Sequence, residues 1–166
     1  MTKTTDQFEA LFTWDTALID VRAPVEFANG SFPSAVNLPI LNDQERHEIG
    51  VIYKEKGPQS ARDSGFRMVS GSIKKSRVDA WCKLIKQHEQ PALYCFRGGL
   101  RSEIACNWLK DVGYEIPRII GGYKALRQFL LNKLELPNLD LMVIAGRTGT
   151  GKTELLHKLK GGIDLE

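Results

Sequence analysis

The chain has few cysteines. Its 166 residues include three, Cys82, Cys95 and Cys106. A low, odd count argues against a disulfide framework. No two of them have C-x-x-C spacing, which removes the commonest zinc signature, and no metal site is expected. Histidine is equally scarce, with His47, His88 and His157, and the sequence places no partner beside any of them. Long apolar runs are also missing. Nothing approaches the ~20 residues of a membrane helix, and the stretch from Met1 to Ala10 is polar, unlike a signal peptide. No membrane association is expected, and a reducing cytoplasm is the expected location. The formal net charge of +3 is a weak basic bias. It is compatible with a polyanionic partner and does not indicate one.

What remains is an ordinary globular composition, 42% hydrophobic and 26% charged, long enough to bury a core without disulfides or metals. Phe8, Leu11 and Phe12 give a short helical face. Ala17 to Val21 reads as a buried strand, Ala23 to Ala28 as a helical turn, and Val36 to Leu38 as a second strand stopped by Pro39. From about Asn42 to Ser72 the pattern is irregular and polar. Helix resumes near Ser76, where Val78, Trp81, Cys82 and Ile85 share one face. Pro91 opens the strand Ala92-Leu93-Tyr94. A helix starting at Arg101 or Ser102 buries Ile104, Ala105, Trp108, Leu109 and Val112, and Gly113 stops it. Arg118 to Ile120 is a strand, Gly121-Gly122 a turn, and Tyr123 to Leu134 a helix with Tyr123, Leu126, Leu130 and Leu134 on one face. Strands alternating with helices predict an α/β fold, a central parallel sheet flanked by helices. Residues 6–136 form this domain, 137–140 read as a linker, and 141–166 begin a second unit. Trp14, Trp81 and Trp108 are assigned to the core.

Two segments carry chemistry. The first is Cys95-Phe96-Arg97-Gly98-Gly99-Leu100-Arg101-Ser102, between a buried strand and a helix. The helix N-terminus and the charges of Arg97 and Arg101 favour a thiolate. Gly98 and Gly99 permit positive φ, so the loop can curl around an anion. Two chemistries use such a cradle: sulfur or selenium transfer through Cys95, and phosphate ester hydrolysis, since Cys95 and Arg101 stand in C-x5-R spacing. The spacing alone does not separate them, and a buried structural cysteine is the inert alternative. For Cys82 and Cys106, on helical faces, the core reading is preferred. Asp20 and Arg22 end a strand near the loop, and support of that loop through a structural ion pair is preferred to direct catalysis.

The second segment is Gly146-Arg147-Thr148-Gly149-Thr150-Gly151-Lys152-Thr153, which satisfies G-x-x-x-x-G-K-[ST] after a predicted strand, Leu141 to Ala145, and before a helix ending near Gly161-Gly162. Its backbone would cradle phosphates, Lys152 would reach the β/γ-phosphates and Thr153 would face Mg²⁺. One strand and one helix cannot bury the core of a P-loop domain, so the chain alone is expected to bind nucleotide weakly or not at all. Basic residues crowd the stretch from Lys54 to Arg77. They read equally as a track for a nucleic-acid backbone and as a solvated face.

Three motifs in order resemble rhodanese domains over residues 6–136. They are Asp20-Val21-Arg22-Ala23-Pro24-Val25-Glu26-Phe27 with Gly30 to Pro39, the Cys95 loop, and Gly113-Tyr114 through Gly121-Gly122-Tyr123-Lys124-Ala125-Leu126. With the insert Glu45-Arg46-His47-Glu48 and Tyr53-Lys54, the run continuing to Arg127, the P-loop and the final Ile163-Asp164-Leu165-Glu166, the chain is more narrowly similar to the bacterial tRNA 2-selenouridine synthases. That resemblance implies a selenium/sulfur transferase converting a wobble 2-thiouridine in tRNA to 2-selenouridine. It makes Cys95 the catalytic residue, with a cysteine-bound chalcogen. It implies selenophosphate and geranyl diphosphate as substrates, an S-geranylated intermediate, no tightly bound cofactor, and a selenophosphate-producing enzyme as a donor partner. The P-loop would hold a nucleotide or a diphosphate in the complete protein. Members are longer, so truncation within the second unit is expected. The alternatives are a stand-alone thiosulfate-type sulfurtransferase, a C-x5-R phosphatase, or a non-catalytic tRNA-binding fragment. The common small sulfurtransferases place the loop arginine one position nearer the cysteine, and the longer loop here suits a larger anion.

Overall fold

The computed structural model describes residues 4–134 and 142–162. These fall into two compact units that divide between Lys133 and Leu134. The first contains five short parallel strands: β1 (Thr4–Thr5), β2 (Leu18–Asp20), β3 (Ala35–Asn37), β4 (Ala92–Tyr94) and β5 (Arg118–Ile119). Their order in the sheet is β1-β5-β4-β2-β3. Helices α1 (Phe8–Thr13), α2 (Pro24–Ala28), α3 (Asp43–Met68), α4 (Gly71–Ile85), α5 (Leu100–Asp111) and α6 (Gly122–Leu134) connect and cover them. This is the α/β architecture expected from the alternating pattern. Among the described residues no helix is long and apolar enough to cross a membrane.

Strand alternation builds two cores, one on each face of the sheet. Leu18, Ala92, Tyr94 and Ile119 face α1 and α6, joining Leu11, Phe32 and Leu126. Ile19, Val21, Leu93 and Cys95 join Val78, Trp81, Ile85, Cys106, Trp108 and Leu109 of α4 and α5. The chain leaves β2 to one side, to β3, and returns to the other side as β4. The order in which the chain adds strands therefore reverses between β2 and β4, while the strands stay parallel. In open α/β sheets ligands bind outside the carboxyl ends of strands at such a reversal. Asp20 ends β2 and Cys95 follows β4, so both lie at that point.

The structure corrects several expectations. The irregular stretch is helical: α3 runs from Asp43 to Met68, and α4 starts at Gly71 rather than near Ser76. α3 lacks an apolar stripe and fully buries only Ala61, so periodicity gave no signal. Its capping box was readable. Asn42 Oδ1 accepts the Glu45 N–H at 2.8 Å, and Glu45 Oε2 accepts the Asn42 N–H at 2.8 Å. A kink falls at Gly57 (φ 83°, ψ 177°), just before Pro58, which cannot continue a helix ladder. Trp14 is 71% exposed, not part of the core, because it follows the last turn of α1. Val112 and Leu134 are exposed as well, both at helix ends. In the second unit the expected strand does not form over residues 142–145, and Leu141 lies outside the described residues. Met142 and Val143 stay exposed. A lone strand has no neighbour to satisfy its N–H and C=O groups.

Replacing Asn42 by Ala removes the cap of α3. A loss of about 1 kcal/mol is expected in urea unfolding, and an unchanged midpoint would show that this end of α3 contributes nothing to stability.

Candidate active site

β4 delivers Cys95 to the end of the sheet, where the Val21 N–H bonds to Tyr94 O at 3.0 Å and ties the exits of β2 and β4 together. Cys95 is 3% exposed. Its Sγ lies 3.3 Å from Ser102 Oγ in the first turn of α5, and the Ser102 hydroxyl donates to Gly99 O at 2.9 Å. A hydroxyl has one proton to give. With a thiol at Cys95, that proton serves Gly99 O. With a thiolate, the same hydroxyl can turn and donate to sulfur. Ser102, predicted as part of the loop, is thus fully buried beneath the nucleophile.

Main chain packed on main chain holds the loop in shape. Gly98 has φ +64°, and a Cβ there would sit 2.6 Å from Ile119 O and 2.7 Å from Gly121 N. Gly122 has φ +58°, and its Cβ would sit 2.1 Å from Cys95 O and 2.5 Å from Gly98 N. The start of α6 then closes on the loop. The Tyr123 N–H donates to Cys95 O at 2.9 Å, the Lys124 N–H to Phe96 O at 3.1 Å, and Arg118 Nη1 to Gly98 O at 2.5 Å. The expected positive φ holds for Gly98 and not for Gly99, whose φ is −94° at the N-cap of α5. One left-handed residue suffices to turn this chain.

The ion pair expected of Asp20 and Arg22 is present and buried. Arg22 Nη2 lies 2.6 Å from Asp20 Oδ2, with both side chains at 1% exposure or less. Arg22 also donates to Gly30 O at 2.8 Å, and its guanidinium lies 3.9 Å from the centre of the Tyr123 ring. Burial pulls the Arg22 guanidinium down, and the hydrogen bonds and charge of Asp20 outweigh it, so it is held above its ordinary value. Burial first, and then the negative charge of Asp20, push the neighbouring Tyr94 hydroxyl far above its usual range. The hydrogen-bond contacts of Cys95 Sγ among the described residues are with Gly99 and Ser102.

Glu26 was not singled out from sequence, and it organises the mouth of the site. Its carboxylate accepts from Arg101 at 2.5 and 3.1 Å, from Arg46 of α3 at 3.1 Å and from the Ala23 N–H at 3.1 Å. Burial pushes Glu26 up, but the hydrogen bonds and charge of Arg101, helped by Ala23 and Arg46, hold it below the usual carboxylate value. The Arg101 charge is therefore partly spent on Glu26. The uncommitted positive charge comes from elsewhere. A cleft of ≈ 930 Å³ opens above Cys95, with Arg22, Arg46, Arg97, Arg101 and Arg127 in its wall and Glu26 as its one acidic group among the described residues. Such a basin has the size and charge to suit a large anion. Arg46 and Arg127 were missed as site residues because they lie far from the loop in sequence.

Three members of the basic stretch have partners in the first unit. Arg77 pairs with Glu45 at 2.8 Å and donates to Ile40 O, Lys75 pairs with Asp79 at 2.9 Å, and Lys74 lies 4.8 Å from the Trp108 ring centre. In the second unit, helix α7 (Lys152–Lys158) follows the P-loop. Gly149 and Gly151 have φ of 84° and 77°, and Lys152 Nζ donates to Arg147 O at 2.9 Å within the loop itself. Gly146, Thr148, Thr150 and Thr153 are exposed.

Two outcomes follow from this geometry. Gly122→Ala forces a Cβ into Cys95 O, and a loss of roughly 3 kcal/mol or more is expected. Gly113→Ala, also at positive φ (90°) but facing open space, is expected to cost only about 1 kcal/mol. Equal losses in urea unfolding would refute the interlock. Glu26 has a depressed folded-state value, so its stabilisation is complete above the unfolded value near 4.5 and fades as pH falls through the folded one. Wild type is therefore expected to lose stability relative to Glu26→Gln on acidification below pH 4.5, read as converging melting temperatures. Parallel pH profiles would contradict it.

A rhodanese-like domain family model matches residues 4–128. Curated tRNA 2-selenouridine synthases from Marinobacter nauticus and Bordetella bronchiseptica are each 51% identical to this chain, over 98% of its length and 45% of theirs. The chain thus spans about half the length of the curated relatives it matches. A crystal structure from Clostridium difficile 630, the N-terminal domain of a protein described as ATP/GTP binding, is 35% identical with a TM-score of 0.63, covering 69% of this chain and 88% of that one. With the cysteine loop at the end of β4 and the sheet order that presents it, the match over three quarters of the length means that the chain belongs to the rhodanese-like domain family.

Proposed function

We propose that this chain is the chalcogen-handling part of a transferase that acts on thiolated tRNA, converting a wobble 2-thiouridine to 2-selenouridine. The observation that carries this reading is the position of Cys95 Sγ, next to the Ser102 hydroxyl beneath a cleft walled by five arginines. The curated relatives bear the name of that activity. A thiolate at Cys95 attacks the outer sulfur of a donor such as thiosulfate. A new S–S bond forms, the old one breaks, and sulfite leaves with the electron pair. The arginines stabilise the anion that arrives and the anion that leaves.

On the tRNA side, selenophosphate supplies selenium already at the selenide level. Selenophosphate adds through selenium at C2 of an S-geranylated base and geranylthiolate departs with the C–S electron pair; water then takes the phosphoryl group, the P–Se bond breaks and phosphate leaves, so a C–Se bond replaces a C–S bond without net oxidation. The prenyl group makes sulfur a better leaving group, and geranyl diphosphate is its source. The P-loop, whose phosphate-binding backbone is suited to a diphosphate, serves that donor in the complete protein. A phosphate ester hydrolase is less well supported, because Glu26, the one carboxylate that lines the cleft among the described residues, is committed to Arg46 and Arg101.

Incubation with thiosulfate is expected to add one sulfur to the intact mass of the wild type and none to Cys95→Ser. An adduct of equal size in both proteins, or turnover of an aryl phosphate lost with Cys95, would reject the transferase reading.

A further inference from the structure

Arg118 stands outside the arginine cleft and still grips the Cys95 loop. It lies in β5, between β1 and β4, paired in register with Thr4 on one side and Leu93 on the other. A parallel strand flanked on both sides is ordinarily apolar. Here a half-buried arginine takes the place. Among the described residues no carboxylate forms an ion pair with it. Its Nε is buried and has no hydrogen-bond partner among them either. An unpaired charge and an unsatisfied buried donor both oppose folding, so an aliphatic side chain would suit the fold better. What Arg118 does make is a bond from Nη1 to Gly98 O at 2.5 Å.

That bond has a consequence at the other end of the same peptide. In a planar trans peptide the C=O and the N–H point in opposite directions, and no peptide bond here is cis among the described residues. Holding Gly98 O toward β5 therefore turns the Gly99 N–H away from β5. Gly99 lines the cleft and its carbonyl lies 4.0 Å from Cys95 Sγ, whereas Gly98 and Arg118 do not line the cleft. Two more peptides of the loop are set in the same way. The Tyr123 N–H holds Cys95 O and the Lys124 N–H holds Phe96 O, which turns the N–H groups of Phe96 and Arg97 away from α6. Of the three peptides, the one after Gly98 is gripped by a charged side chain. A charge-assisted bond is stronger than a neutral one, and it polarises the peptide so that its N–H becomes a better donor. The charge is also felt at a neighbouring sulfur: burial pushes the Cys106 thiol up to about 11, and Arg118 pulls against it.

We infer that Arg118 is a positioning residue for the charge on Cys95, acting from beneath the loop through the Gly98–Gly99 peptide to present the Gly99 N–H to the anionic sulfur and the group it carries. This role rests on the proposed reading of Cys95 as the nucleophile of a chalcogen transfer. It gives a physical reason for an arginine in a strand position that the fold alone would fill with an aliphatic residue.

The test reads Cys95 in two ways. One is its rate of alkylation by iodoacetamide at neutral pH, followed by mass on the Cys95 peptide. The other is its rate of sulfur loading over a range of thiosulfate concentrations. Losing a direct donor to a developing anion slows a reaction by roughly 10²–10³, and losing the support of such a donor costs less, so Arg118→Met is expected to slow both reactions about tenfold. The thiosulfate concentration that gives half the maximal rate is expected to move by less than about twofold, because the arginines that wall the cleft are untouched. Arg118→Lys keeps the charge and is expected to recover the rate to within about threefold of wild type. Asn42→Ala, destabilised away from the loop, is expected to react as wild type does. Arg118→Gln keeps a donor without the charge; it is expected to react more slowly than wild type and replaces Arg118→Met if that variant does not fold. A wild-type rate in Arg118→Met or Arg118→Gln, no recovery with lysine, or equal slowing in Asn42→Ala overturns the inference. A wild type that alkylates and takes up no sulfur removes the transferase reading, and slower alkylation in Arg118→Met then still upholds the role of Arg118. Sulfur loading with both rates indifferent to Arg118 does the reverse.

Discussion

The buried pair between Asp20 and Arg22 is the constraint on which the site depends. Two charges at 1% exposure or less stand at the end of a central strand, where the strand order reverses. Removing either partner leaves an uncompensated buried charge, the costly half of such a pair. The pair is satisfied by what surrounds it. Arg22 reaches Gly30 O beyond α2 and lies against Tyr123 at the start of α6. Asn37 Nδ2, at the end of β3, donates to the carbonyls of Asp20 and Arg22. One ion pair thus sets the exit of β2, the turn after α2 and the position of α6, and α6 in turn sets the Cys95 loop.

Charge in the cleft is divided by Glu26. That carboxylate ties together α2, the insert helix and the first turn of α5 through Arg46 and Arg101. Arg101, the arginine that C-x5-R spacing would assign to substrate, is the more committed of the two, at 27% exposure against 47% for Arg46. Arg97 is exposed and Arg127 rises from α6, and both present their charge to the opening. The field over the sulfur is therefore assembled from four elements, and the loop alone contributes less than half of the arginines.

The strands, the helices flanking the sheet and the cysteine loop were legible because each is encoded locally. Short apolar runs, one helical face at a time, and a Gly-rich turn between a strand and a helix all speak within a dozen residues. The insert helix was not legible, because its stability comes from its caps and from α5 rather than from an apolar stripe, even though Asn42 and Glu45 spelled its start and Gly57-Pro58 its kink. Trp14 misled because residue type stood in for position: a tryptophan just past a six-residue helix has nothing to pack under. The expected P-loop strand failed for the opposite reason. Its local sequence is right, but a strand needs neighbours, and residues 142–145 have none among those described. Glu26, Arg46 and Arg127 joined the site through tertiary structure alone.

The joint between Gly98 and Gly122 has a bearing on how such a loop can diverge. Because the close contacts at Gly98 and Gly122 are with backbone atoms, that joint does not rest on the side chains of Arg97 and Leu100. Arg97 and Leu100 can change without disturbing the seat, so the choice of anion can drift while the nucleophile stays fixed. Loop length is a different matter. An inserted residue between Cys95 and Gly98 would move Gly98 away from the backbone of Ile119 and Gly121, where a side chain has no room. Selectivity in this scaffold can therefore be altered by substitution far more readily than by insertion.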